Sequence, residues 1–407
     1  MRSASIFTEM VDFFDFFSGR NKEARDLVFY SEHGDYRKFF QDLIQEILGR
    51  SSLKLCYITS DPKDPFLKEH DARINVFYMK HLLPFLLPFL NAKALVMTMP
   101  DLHQFHLRRS VLGTRHIYMF HAMMSTHMIY RRGAFDFYDT IFCVGPHHVE
   151  EIRRSEEIYG LRPKDLFKTG YFLLDRIYQD HQAYLSQRSD RFESGRKVLI
   201  APSWAAQNIL QTCFMELVEV LAKHDYQMIV RPHPEFLKRQ PEDVQRLVGQ
   251  CSALKGVTFE LHPASERSLH EADVLITDWS GIALEYAFGT ERPVLYIDTP
   301  RKINNPEYEK LGLQPLELRV RDQIGRVLAL QEVTRIHEAL DHLMQNRLQY
   351  REKILQLRNQ YVYNFGCSSA KAADYLIDLC HPTGNAAPGS GELERCGGKL
   401  SSAIPNR

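Results

Sequence analysis

Short apolar runs alternate along this chain with segments whose apolar positions recur every three or four residues. Leu27–Tyr30, Leu53–Thr59, Ile74–Tyr78, Ala94–Thr98, His116–Phe120, Thr140–Val144 and Leu166–Thr169 read as strands. Tyr36–Leu48, His81–Leu90 and Pro146–Tyr159 read as helices between them. A polar stretch, Asp180–Arg196, interrupts the series. It resumes with strands over Val198–Pro202, Gln227–Arg231, Val257–Glu260, Asp273–Ile276 and Pro293–Ile297. Helices are expected over Cys213–Lys223, Leu237–Gly249, Ser265–Glu271 and Ile282–Phe288. Such alternation predicts mostly parallel sheets with both faces covered. The expected fold class is α/β, with two Rossmann-like halves facing a central cleft.

The pattern divides the chain into a lead-in helix over 1–26, a first half over 27–180, a linker over 181–196 and a second half over 197–320. C-terminal helices over 321–380 and a tail over 381–407 follow. Val320–Leu330 and Thr334–Tyr361 look helical and charged, and Ser368–Leu379 carries an apolar face suited to crossing back to the first half. The tail is rich in Gly, Ser, Pro and Asn, a composition that buries little.

Charge adds an exclusion. Lys plus Arg and Asp plus Glu both number 51, so no global field points to nucleic acid. The 7 cysteines form no CxxC pair, which argues against a zinc site or disulfide framework and for a reducing cytosol. Leu82–Met99 approaches spanning length, but Pro84, Pro88, Asn91 and Lys93 divide it into a helix and a strand. Peripheral docking of this segment on the inner face of a membrane is the milder expectation, and Phe13, Phe14, Phe16 and Phe17 of the lead-in helix are expected to pack on the body in preference to a membrane surface.

Candidate chemistry concentrates at strand ends. In ADVLITDWSGIALEYAFGTERPVLYID, residues 272–298, a strand runs into Thr277-Asp278-Trp279-Ser280-Gly281 and then a helix. Ser280 and Gly281 fit either an anion site at a helix start or an ordinary βαβ turn. Glu285, one turn on, could reach a ribose hydroxyl. Asp278 suits capping. His233, between two prolines after a strand, is held rigidly, and Arg231 shares its side to give a cationic pair for a diphosphate. His121 ends a strand and suits general-base work, or is a buried structural histidine. His33-Gly34 and Ser203-Trp204 occupy further cleft loops. His147 and His148 look like caps or surface groups, and Tyr130-Arg131-Arg132 is a small basic patch.

RPHP at 231–234, ITDWSGIALEYAFGTERPVLY, YMFHAMMS, VLIAPSW and TGYFLLD together resemble the CDP-glycerol glycerophosphotransferase family of teichoic acid primases and polymerases. The resemblance runs over about residues 116–300 and implies a GT-B fold. It implies that His121 deprotonates an acceptor hydroxyl, which attacks the β-phosphate of a CDP-linked alditol and expels CMP. His233 and Ser280 would hold the diphosphate and Glu285 the ribose, with no metal or other cofactor. The implied partners are the CDP-linked donor and a lipid-linked or polysaccharide acceptor of the cell envelope or capsule. Three positions depart from the family pattern: HG is His121-Ala122, TDYSS is TDWSG, and the Arg after APTW is Ala205. They leave open CDP-ribitol, a UDP- or CMP-sugar glycosyltransferase, and a non-catalytic binding scaffold.

Overall fold

The short apolar runs become strands buried on both faces, as parallel sheets demand. In the computed structural model, which describes residues 6–69, 71–187, 196–261 and 266–381, the first seven strands are β1 (Leu27–Ser31), β2 (Leu55–Thr59), β3 (Ile74–Tyr78), β4 (Ala94–Met97), β5 (Arg115–Met119), β6 (Thr140–Cys143) and β7 (Asp165–Lys168). They form one parallel sheet in the order β3-β2-β1-β4-β5-β6-β7. The second sheet contains β8 (Lys197–Ile200), β9 (Gln227–Val230), β10 (Val257–Phe259), β11 (Val274–Thr277), β12 (Val294–Asp298) and β13 (Gly325–Ala329), in the order β10-β9-β8-β11-β12-β13. The strand order reverses between β1 and β4, and again between β8 and β11. Crevices for ligands open at such points, beyond the carboxyl ends of the strands.

Several sequence expectations change. Pro84 and Pro88 break His81–Leu90 into a helical turn, Leu83–Leu86, and a tighter one, Leu87–Phe89. Pro241 likewise divides the helix expected from Leu237 into Pro234–Arg239 and Pro241–Cys251. The segment read as a helix over Val320–Leu330 is a helix only to Ile324; Gly325–Ala329 then pairs with β12 as an edge strand. The helix Phe172–Gln187 runs well into the expected linker, the rest of which lies outside the described residues apart from Arg196. The expected tail likewise lies outside them beyond His381.

Phe172–Gln187 packs closely on the helix Ile282–Thr290 of the second half. A Cβ added to Gly289 would lie 2.4 Å from Ile177 Cγ2, so only glycine permits this approach. The last helix, Ser368–Cys380, does return to the first half. Arg50 pairs with Asp374, and the Tyr375 hydroxyl donates to Asp165 at 2.9 Å and lies 3.0 Å from the Thr140 hydroxyl. Among the described residues no helix is long and apolar enough to cross a membrane.

Candidate active site

His121 follows β5 and lies beside the end of β4, where its Nδ1 is 3.2 Å from the Thr98 carbonyl oxygen. A carbonyl can only accept, so Nδ1 carries the proton and Nε2 is left with a lone pair. Tyr36 and Tyr130 stand edge-on to the ring, with centroids 5.5 and 6.2 Å away, and Phe39 is 6.1 Å away. Burial, helped by Lys302 and Lys38, lowers the His121 pKa to about 4, against the bond to Thr98. The result is a neutral imidazole with a fixed tautomer, the form a general base requires.

The backbone after His121 is tied down from two directions. His147 and His148, expected as caps or surface groups, are buried, with Nε2 atoms 2.9 and 3.0 Å from the carbonyl oxygens of Met123 and Met124. From the second half, the buried Glu317 carboxylate accepts the Ser125 N–H at 3.0 Å and the Ser125 hydroxyl at 2.8 Å. Asn305 donates to the His127 carbonyl at 2.9 Å. These bonds bind a first-half loop to a second-half segment. Sequence reasoning missed Glu317, because nothing local distinguishes it from other helical glutamates.

At the second switch point, Asp278 caps more than its own turn. Its carboxylate accepts the N–H of Ser203 at 2.7 Å and of Ile209 at 3.2 Å, joining the loops after β8 and β11. Thr277 donates its hydroxyl to the Ala201 carbonyl at 2.7 Å. Ser203, Thr277 and Asp278 are all buried, so they shape the turn that presents Ser280 and Gly281. Glu285, one turn along the helix, accepts the Tyr171 hydroxyl at 2.8 Å across the two halves, and burial raises its pKa.

His233 caps the helix Pro234–Arg239, its Nδ1 accepting the Glu235 N–H at 3.1 Å. Nε2 is therefore its protonated nitrogen, a donor for an anion. Burial and then the charges of Lys302, Lys38 and Arg231 lower its pKa to about 3. The expected cationic pair with Arg231 does not form: the imidazole is neutral, and the Arg231 guanidinium sits 2.9 Å from Glu266 and 4.0 Å from Glu260. His33 remains on the rim, exposed and 3.2 Å from Asp35. From its loop, Tyr36 is the residue that meets His121.

The two halves meet where two residues, Ala122 and Gly281, depart from the resembled motifs. A Cβ built on Gly281 would lie 4.0 Å from Ala122 Cβ and 3.3 Å from Met124 Sδ. The extra methyl at 122 and the missing side chain at 281 are thus complementary in volume across the gap. The charges of Lys38 and Lys302 help lower the pKa of both His121 and His233; Lys302 sits over the Trp204 ring at 4.3 Å, and that ring is 6.3 Å from the His233 ring.

Both depressed imidazoles carry a pH consequence. An unfolded imidazole takes a proton near 6.5, whereas folded His121 does so only at about 4 and His233 at about 3. Below pH 6.5 the unfolded chain therefore binds more protons, and acidification favours unfolding. Lowering the pH from about 7 to about 5 should cost ~2 kcal/mol for each group. Urea unfolding at the two pH values checks this: His121→Asn should lose less stability on acidification than the wild type by about one such increment.

Comparison with known proteins agrees with this architecture. Residues 13–377 match the family model for CDP-glycerol:poly(glycerophosphate) glycerophosphotransferase. No curated protein matches the sequence. Among solved structures, a histidine-to-asparagine variant of the wall teichoic acid polymerase TagF, soaked with CDPG for 15 minutes, has a TM-score of 0.58 at 14% identity, over 92% of this chain and 97% of that one. The UDP-GlcNAc 2-epimerase of Neisseria meningitidis, bound to UDP-GlcNAc, has a TM-score of 0.58 at 13% identity, over 86% and 99%. That of Methanocaldococcus jannaschii has 0.55 at 12%, over 86% and 99%. At these identities the structures establish the fold, two parallel-sheet halves of GT-B type.

Proposed function

The chain belongs to the CDP-glycerol:poly(glycerophosphate) glycerophosphotransferase family, and from that premise we propose how its crevice transfers glycerophosphate from CDP-glycerol. The acceptor hydroxyl approaches from the first half, and His121 Nε2 takes its proton. The acceptor oxygen bonds to the glycerol-bearing phosphorus, the P–O bond to the α-phosphate breaks, and CMP leaves with the bonding pair. The diphosphate rests on the Ser280-Gly281 turn, where the helix N-terminus presents N–H groups to an anion. His233 Nε2–H donates to a phosphate oxygen without adding charge. Glu285, with one oxygen engaged by Tyr171, offers the other to the ribose. The acceptor is a hydroxyl of a lipid-linked or polysaccharide cell-envelope chain.

The observation that carries this reading is the pair of imidazoles with opposite free nitrogens, an acceptor on His121 and a donor on His233, under the charge of the same two lysines. Incubation with CDP-glycerol and a glycerophosphate-terminated acceptor should release CMP in step with chain extension. Absence of CMP with CDP-glycerol and CDP-ribitol alike would refute it.

An apolar face supports work at a membrane surface. The helix Ile6–Phe16 is seated by Glu9 and Asp12, which accept backbone N–H groups of Lys80, Leu82 and Tyr78. Its outer side leaves Phe7, Val11 and Phe14 exposed at 73%, 52% and 68%. Phe85 and Phe89 are exposed on the segment that follows. Such a helix lies in the interface with its apolar side among acyl chains. Phe7→Glu with Phe14→Glu should abolish co-sedimentation with anionic vesicles while preserving turnover of a soluble acceptor; unchanged sedimentation would count against the docking face.

A further inference from the structure

Two lysines act on both imidazoles, and they differ in what holds them. Lys38 Nζ lies 3.4 Å from Glu266, which Arg231 also engages. Lys302, in the loop after β12, has no carboxylate within 4.0 Å among the described residues; its ammonium sits over the Trp204 ring at 4.3 Å. The charged groups whose fields reach it are Asp278 and Glu317, and its own charge acts on the two neutral imidazoles. Asp278 faces the N–H groups of Ser203 and Ile209, and Glu317 faces Ser125. Both carboxylates are thus already engaged by donors other than the lysine. An ammonium largely withdrawn from water with no anion beside it is unfavourable, and an incoming anion relieves that cost.

We propose that Lys302 is a catalytic residue that grips the diphosphate of the CDP-linked donor and offsets the charge growing on the departing CMP. The assignment rests on the transferase reading above. Charge balance favours it: Arg231 is engaged by carboxylates, Lys38 is paired with Glu266, and His233 is neutral. During transfer Lys302 keeps its proton. The acceptor proton goes to His121, the new P–O bond forms at the glycerol-bearing phosphorus, and the bonding pair of the broken P–O bond leaves with CMP. Burial lowers the Lys302 pKa to about 8, so its charge is present at neutral pH and is lost in mild alkali. A bound diphosphate holds that proton more firmly.

The test uses the full chain, with Lys302→Met to remove the charge and Lys302→Arg to keep it. Calorimetric titration with CDP should show affinity falling about 10–100-fold in Lys302→Met, with cytidine binding unchanged and substantial recovery in Lys302→Arg. In CMP-release assays the wild-type kcat/KM should fall above about pH 8; the limb should move to higher pH in Lys302→Arg and vanish in Lys302→Met. If Lys302→Met does not fold, wild-type CDP titrations from neutral to alkaline pH carry the test, and an affinity that stays flat overturns the inference. CDP binding unchanged in Lys302→Met overturns it while leaving the transferase reading intact. A wild-type chain that binds neither CDP nor CDP-glycerol overturns both.

Discussion

Replacing His121 with asparagine is expected to lower kcat for CMP release by about 10²–10⁴-fold while changing CDP-glycerol binding little. The asparagine amide can still donate to the Thr98 carbonyl, as Nδ1 does at 3.2 Å, so the loop keeps its anchor. What disappears is the unprotonated Nε2, held in place by Tyr36, Phe39 and Tyr130. With the base absent and the diphosphate site intact, the loss falls on the chemical step rather than on donor affinity. Single-turnover CMP release with CDP-glycerol bound separates the two. A variant that retains more than about a tenth of the wild-type rate would show that the proton leaves by another route.

Glu317→Ala should cost ~2–4 kcal/mol of stability, because it strands two buried donors of Ser125 that now bond at 3.0 and 2.8 Å. The same change removes two of the bonds that hold the loop carrying His121 to the second half, leaving that from Asn305. Its kcat should fall with the melting temperature, and by more than the CDP affinity. Glu317→Gln keeps one acceptor and should restore part of both losses. Thermal unfolding and CMP release measured on the same preparations check this. A fall in melting temperature with kcat untouched would mean that Glu317 supports the fold alone.

The α/β architecture was readable because parallel strands are apolar on both faces, and short runs such as VFY, LVM and VLIT stand out between amphipathic helices. The edge strand β13 was not readable: Gly325-Arg326-Val327-Leu328-Ala329 has one partner strand and sits in a charged stretch that fits a helix equally well. Both proline breaks, at Pro84–Pro88 and Pro241, were visible in the letters, yet the apolar spacing on either side concealed them. The site divides along the same line. His121, His233 and Ser280 sit at strand ends, where local sequence carries the signal. Arg231 was assigned a charge partner by proximity in sequence, but Glu266 arrives from a distant loop and engages it. Lys302 and Glu317 had no local signature, since what matters about each is which residues from elsewhere surround it.

The return of Ser368–Cys380 to the first sheet bears on how the molecule can be cut. In chain order the second lobe is an insertion between the body of the first and its closing helix. Fragments trimmed after residue 330 would therefore lose the cover over Arg50, Thr140 and Asp165 although that surface is encoded hundreds of residues earlier. Expression of the first lobe by itself calls for the helix Ser368–Cys380 grafted back through an engineered junction or supplied as a separate peptide.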